Sequence, residues 1–289
     1  MDNLSYQIKN ICKHNKDGSF KTQADRSRIL QAFGKELRGE LGFKLEKVHN
    51  LKEKHINAVV EQWKEKGLSP ATVKNRMSAL RWLAEKVDKP EVIPQLNKEL
   101  GIENRQYLDN DRNRACDLTK EQVGKLGNER LRTSIELQRA FGLRKEEALK
   151  IRPEQADKGD RIVLQASWCK GGREREIPIR TQEQRDLLTR AKDLAEGKSM
   201  IPQDKSYKEW AKKYDNVTAR HQIDGHGLRH AYAQDLYKSI TGFSCAKSGG
   251  PEWKKMDQGQ KEKAQEARLT VSKELGHNRE EIANVYLGR

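Results

Sequence analysis

The chain ends Glu274-Leu275-Gly276-His277-Asn278-Arg279-Glu280-Glu281-Ile282-Ala283-Asn284-Val285-Tyr286, with only Leu287-Gly288-Arg289 behind it. Upstream, with Arg229 standing 48 residues before His277, lies Gly225-His226-Gly227-Leu228-Arg229-His230. Further back come Phe141-Gly142-Leu143-Arg144-Lys145-Glu146-Glu147 and a Lys170-Gly171-Gly172-Arg173 turn. A tyrosine, two arginines, two histidines and a lysine thus recur in a set order within a 289-residue chain of formal charge +15. Those groups can break a phosphodiester without a metal. Two guanidiniums supply forked, permanently charged donors for the non-bridging oxygens. A phenol, with a reference pKa of about 10, can attack phosphorus when a base or a positive surround helps it ionise.

Composition agrees with an anionic partner. Lysine and arginine number 58 against 43 acids, a surplus that attracts polyanions and favours nucleic acid. No window approaches the run of about 20 apolar residues that spans a bilayer. The start, Met1-Asp2-Asn3-Leu4-Ser5-Tyr6-Gln7, lacks a basic stretch followed by an apolar one. The expected compartment is therefore the cytoplasm, with no membrane partner. Cys12, Cys116, Cys169 and Cys245 are far apart and form no CxxC, which fits a reducing compartment. His226 and His230 are spaced like helical zinc ligands, but position 227 is glycine, where HExxH requires glutamate. No metal and no cofactor are expected.

A chain of this length suggests two domains. Residues 1–100 read as a four-helix domain. Phe20 to Leu41 carries Ile29, Leu30, Phe33, Leu37 and Leu41 at helical spacing, and Leu51 to Lys66 carries Ile56, Val59, Val60 and Trp63. Ser69 and Pro70 suit the cap and first position of the next helix, whose apolar face is Val73, Met77, Leu80, Ala84 and Val87. Its outer face holds Lys74, Arg76, Arg81 and Lys86, which could track a phosphate backbone or form an ordinary solvated face. Residues 101–117 read as a linker, and 118–289 as a second domain opened by Thr119-Lys120-Glu121-Gln122. The strand signals are Arg161-Ile162-Val163-Leu164-Gln165-Ala166-Ser167 and Glu176-Ile177-Pro178-Ile179, with a tight Cys169-Lys170-Gly171-Gly172 turn between them. The expected fold is mainly α with a small antiparallel β-sheet. Residues 242–260, with Gly249-Gly250-Pro251, read as a mobile loop.

Four boxes carry a resemblance to a known family. Phe141-Gly-Leu-Arg-Lys-Glu-Glu-Ala-Leu149 resembles the first arginine box of the tyrosine recombinases, the phage-integrase family. Lys170-Gly-Gly-Arg-Glu-Arg-Glu-Ile-Pro178 resembles its lysine hairpin, and His226-Gly-Leu-Arg229-His230 its HxxR box. Leu275-Gly276-His277, with Tyr286 nine residues on, is similar to its final box. The resemblance covers about residues 119–289, and the Ser-Pro-Ala-Thr-Val start of the 70–88 helix is similar to the family's core-binding domain. Each residue alone has a duller reading, as a packing tyrosine, a capping arginine or a buried histidine. Together, in this order, they support the functional one.

The resemblance implies a helical N-terminal core-binding domain and a mixed α/β catalytic domain. It implies a site-specific DNA recombinase that works through a 3′-phosphotyrosine link and a free 5′-hydroxyl, needing neither ATP nor divalent metal. Tyr286 would attack, Arg144, Arg229 and His277 would hold the phosphate, His226 would serve as base and Lys170 as general acid. Glu147 would orient its neighbours, Arg173 would contact DNA, and His230 has no catalytic part. The implied partner is double-stranded DNA carrying recombination sites, bound as a homotetramer on two duplexes. Integration or excision of a mobile element is the leading role. Xer-like dimer resolution, a relaxing activity of the type IB topoisomerase kind, and a non-catalytic DNA-binding protein stay open. Three departures stand out. The Arg229–His277 gap is long, so 242–260 looks like an insertion; few residues follow Tyr286; and no arm-binding domain is recognisable before the first helices.

Overall fold

The computed structural model describes residues 2–104, 112–277 and 279–289. Two compact units divide the chain, Met1–Gln106 and Tyr107–Arg289. The middle of the stretch expected as a linker, residues 105–111, lies outside the described residues. Its described ends belong to the units themselves. Ile102 is buried in the first core, and Cys116 and Leu118 pack in the second unit.

The first unit is built from α1 (Asn3–His14), α2 (Phe20–Lys35), α3 (Glu53–Glu65) and α4 (Pro70–Lys86). Its core gathers Ile8, Leu30, Phe33, Leu37, Ile56, Val59, Trp63, Met77 and Leu80. A five-residue π-helical turn, Glu36–Glu40, continues α2 and rotates Leu37 fully inward. Ser69 caps α4, accepting from the Thr72 N–H at 3.3 Å, with Pro70 behind it. The buried face of α4 is wider than the apolar spacing predicts, because Trp82 is also covered. Its indole donates to Asp17 at 2.8 Å, and the Arg26 guanidinium lies 4.0 Å over its ring.

The second unit opens with α5 (Lys120–Lys125), which carries the expected reciprocal Thr119–Gln122 cap. It continues through α6 (Glu129–Phe141), α7 (Lys145–Lys150), α8 (Pro153–Ala156), β1 (Arg161–Leu164) and β2 (Arg175–Pro178). Then follow α9 (Gln182–Ala195), α10 (Tyr207–Arg220), α11 (Gly225–Thr241), α12 (Gln258–Glu274) and the single turn α13 (Asn284–Leu287). β1 and β2 pair antiparallel, Arg161 opposite Pro178 and Leu164 opposite Arg175. Ile162, Leu164 and Ile177 face the main core, which also takes in Leu137, Phe141, Leu188, Ala233, Tyr237, Val271, Tyr286 and Leu287.

Two expectations are corrected. The hairpin is not tight: a 3₁₀ turn at Ala166–Trp168 intervenes, because Trp168 and Cys169 are drawn into the core and fold the connection back. Positive φ at Gly171 and Gly172 then turns the chain as anticipated. The 242–260 stretch is also not a loose loop. Cys245 and Met256 are buried, Trp253 packs on the core, and α12 starts within the stretch at Gln258. The polar and glycine-rich composition concealed these apolar anchors.

Candidate active site

Arg144 is placed by the end of one helix and the start of the next. Gly142 closes α6 at φ +60°, where a Cβ would lie 2.4 Å from the Tyr232 ring. Only glycine fits both the conformation and the space. Two residues on, Arg144 occupies the N-cap of α7, and the Glu147 carboxylate reaches back to it. Its backbone N–H donates to Oε2 at 2.6 Å and its guanidinium to Oε1 at 2.8 Å. The remaining Arg144 nitrogen donates to the Leu275 carbonyl at 3.1 Å and lies 3.4 Å from His277 Nε2. A guanidinium only donates, so His277 Nε2 accepts and its ring proton sits on Nδ1.

Arg229 comes from the second turn of α11, which begins with Asp224 accepting from the His226 N–H at 2.9 Å. Gly227, in the first turn, is also obligatory, since a Cβ would meet the Arg114 carbonyl oxygen at 2.7 Å and the Cys116 sulfur at 2.5 Å. Arg229 is fully buried. It donates to the carbonyls of Gly142 and Leu275, and through Nε to the Tyr286 hydroxyl at 3.4 Å. Burial lowers its pKa from 12.5 to about 10, so it keeps its charge at neutral pH. Among the described residues, none of its hydrogen-bond partners is a carboxylate. Both Arg144 and Arg229 therefore point at one carbonyl oxygen, with the Tyr286 hydroxyl beside them.

Three imidazoles surround Tyr286, whose side chain is buried on α13. His230 is nearest, its ring centroid 4.6 Å away; His226 is at 6.1 Å and His277 at 6.3 Å. His226 is accessible to solvent, and its ring meets that of His230 edge-on at 5.1 Å. Desolvation and then the Arg229 charge hold His226 below its ordinary pKa. Burial first, and Arg144 next, lower His277 from 6.5 to about 4. Burial and then His226 take His230 to about 3, and neither of its ring nitrogens has a hydrogen-bond partner among the described residues. All three are neutral at pH 7.

Beneath the arginines lies a residue that sequence reasoning missed. Arg175 of β2 meets Glu147 through two contacts of 2.7 Å and donates from Nε to the Glu274 carbonyl at 2.8 Å. A signal for it existed. In the strand Arg175-Glu176-Ile177, period-two alternation puts the arginine on the same inward face as Ile177.

Arg144, Arg229, His226, His277 and Tyr286 are thus brought together over Glu147. Lys170 is not among them. It stands exposed near the hairpin tip with no hydrogen bond or ion pair to a described residue, and Arg173 is exposed beside it. In the first unit, the four predicted bases of α4 are engaged locally. Arg76 bonds Glu36 at 3.1 Å and Arg81 bonds the Pro94 carbonyl and Asn97. Lys86 pairs with Asp17 at 2.9 Å, and Lys74 donates to Asn104 at 3.0 Å. Among the described residues, no group of three or more His, Cys, Asp or Glu could hold a metal ion.

The chain matches the phage integrase N-terminal family over residues 1–92 and the integrase family over residues 114–235. None of the curated proteins matches it by sequence. Among solved structures, the Tn1549 transposon integrase (residues 82–397) in complex with circular intermediate DNA is 14% identical at a TM-score of 0.57, covering 100% of this chain and 96% of that one. The site-specific recombinase XerH, bound to a palindromic difH substrate, is 18% identical at a TM-score of 0.60, covering 98% and 80%. A lambda integrase tetramer bound to a Holliday junction is 14% identical at a TM-score of 0.60, covering 97% and 75%. At these identities the structures show a shared fold.

Proposed function

The chain belongs to the phage-integrase family of tyrosine recombinases, and from that premise we propose that it integrates and excises a mobile DNA element, with Tyr286 as nucleophile. One observation carries the assignment of the site: the Tyr286 hydroxyl lies 3.4 Å from Nε of the buried Arg229, whose Nη2 converges with Arg144 on the Leu275 carbonyl while Nη1 holds that of Gly142. A scissile phosphate placed where those guanidiniums point would meet the phenol directly.

The chemistry follows from charge. As Tyr286 attacks phosphorus, negative charge gathers on the non-bridging oxygens, and Arg144 and Arg229 donate to them. Once the phosphate draws Arg144 away from its Nε2, the neutral His277 can turn a ring N–H to the phosphate as one further donor. The phenolic proton passes to His226, through a water or a small closing movement, given the 6.1 Å between ring centroids. The P–O5′ bond breaks, and Lys170 protonates the departing 5′-oxygen once the hairpin tip swings over the DNA. The phosphotyrosine stores the bond energy, so a 5′-hydroxyl from a second duplex reverses the step.

The first unit serves as the core-binding domain and the second as the catalytic domain. The enzyme acts on two duplexes as a homotetramer, the assembly in which the lambda integrase neighbour was solved. It works on DNA in the cytoplasm; no described helix is long and apolar enough to cross a membrane. Dimer resolution is a second reading, favoured by the fold shared with XerH.

The test is a nicked suicide DNA from the ends of the element, incubated with wild type and Tyr286→Phe and run on a denaturing gel. A covalent adduct with wild type alone is expected. No adduct on DNA that both proteins bind would overturn the assignment in favour of a pure binding role. Adducts on a chromosomal dimer-resolution site instead of element ends would favour the second reading.

A further inference from the structure

The helix that carries Tyr286 cannot hold itself. With four residues, α13 leaves its last carbonyls without intrahelical donors. Side chains from elsewhere supply them. Lys247 Nζ donates to the Val285 carbonyl at 2.9 Å and Gln234 Nε2 to the Tyr286 carbonyl at 3.0 Å; just past the helix, Arg268 donates to the Gly288 carbonyl at 2.8 Å. Gln234 is itself fixed. It accepts from the Ser248 hydroxyl at 2.5 Å and donates to Asn113 Oδ1 at 2.8 Å.

Lys247 and Ser248 belong to the segment after α11. Cys245 anchors it in the core, and the Gly250 N–H bonds the Cys245 carbonyl at 2.9 Å to close the turn. A Cβ at Gly250 would lie 1.7 Å from the Ser244 oxygen, so the turn tolerates no side chain there. The turn lies directly against the chain end: a Cβ at Gly288 would be 3.2 Å from Ala246 Cβ and 3.1 Å from Lys247 Cγ.

We propose that the 244–250 turn and Gln234 form a clamp that sets the backbone of Tyr286, making Gln234 and Lys247 positioning residues for strand cleavage. The inference rests on Tyr286 being the nucleophile. Neither side chain reaches the phenol; each acts through a carbonyl of the helix that aims it. A reacting atom displaced by about 1 Å can cost about 10²-fold in rate.

The test compares Gln234→Leu, Lys247→Met and Lys247→Arg with wild type. Three quantities are read: adduct rate at saturating suicide DNA, DNA affinity, and hydrogen exchange along the second unit. Gln234→Leu and Lys247→Met should cleave on the order of 10- to 100-fold more slowly. Their DNA affinity should change less than about twofold, with exchange protection lost at residues 284–289 and kept in α6 and α11. Lys247→Arg keeps a donor and should recover most of the rate. Unchanged rates and exchange in both variants would overturn the clamp, as would protection lost evenly across the unit. Should Gln234→Leu fail to fold, the surface-reaching Lys247 pair decides alone. Should wild type form no adduct, the strand-transfer reading fails, while the exchange pattern still tests the clamp.

Discussion

Arg175 and Glu147 form a buried bidentate ion pair, with two contacts of 2.7 Å and side chains 5% and 1% exposed. Burial alone pushes the Glu147 carboxyl up. The Arg175 hydrogen bonds and charge, followed by those of Arg144, outweigh it and bring the pKa from 4.5 to about 2. One carboxylate thus fixes two guanidiniums, and Arg144 keeps a nitrogen directed at the Leu275 carbonyl. Removing Arg175 takes away the bidentate partner of the buried Glu147 and leaves Arg144 as its remaining counter-charge. Arg175→Met should lower unfolding free energy by about 3–5 kcal/mol. Replacing both residues with apolar ones should recover only part of that loss, because Arg144 then loses its carboxylate as well. Urea titrations of the two variants measure it, and a single variant as stable as wild type would contradict the pairing.

The two arginines of the site should behave as transition-state donors. Arg144→Ala and Arg229→Ala are each expected to slow cleavage by on the order of 10²-fold or more. Arg229→Lys should not restore it, because one ammonium cannot reach Gly142, Leu275 and Tyr286 from three directions. Single-turnover adduct formation gives the rates. Wild-type rates in both alanine variants would remove them from the chemistry.

Gly142 should not tolerate alanine. The substitution adds a left-handed backbone penalty to a 2.4 Å clash with Tyr232, for about 2–4 kcal/mol in total. It also moves the carbonyl that holds Arg229, so cleavage should fall with stability. A melting temperature equal to wild type would show that the turn is not as tight as described.

Acid should destabilise the protein before its carboxylates titrate. Unfolded imidazoles take up protons near pH 6.5, whereas His277 and His230 resist until about 4 and about 3. Between those values the unfolded state binds more protons. Stability is therefore full above about pH 6.5 and declines as pH falls, by a slope approaching one to two protons. Glu147 adds a further loss between 4.5 and about 2. Urea midpoints at about pH 7.5 and pH 5 test the sign, and His230→Phe should flatten the dependence. A midpoint that does not change with pH would refute it.

Lys170 should be rescued by a better leaving group. Lys170→Ala ought to cleave poorly on ordinary DNA and near the wild-type rate when the 5′-oxygen is replaced by sulfur, which departs without a proton. Failure of that rescue would take the general-acid role away from Lys170.

Local patterns gave away much of this molecule. The helices α2, α3 and α4 follow from apolar spacing, and Ser69-Pro70 and Thr119…Gln122 announce real caps. Less visible were contacts between distant segments. Arg175 was passed over inside a basic run, though its inward strand position set it apart. The segment after Gly242 read as loose because Cys245, Trp253 and Met256 are isolated apolar residues, which have no periodicity to display.

Residue types and neighbours three or four positions away define the chemical groups present, their order and the helical framework. Folding over long range is what makes Arg144 and Arg229 share the Leu275 carbonyl, holds Glu147 against Arg175, and sets Gln234 and Lys247 on a four-residue helix. Those relationships join residues far apart in the chain. They exist because buried charges and unsatisfied carbonyls must find partners wherever packing brings them.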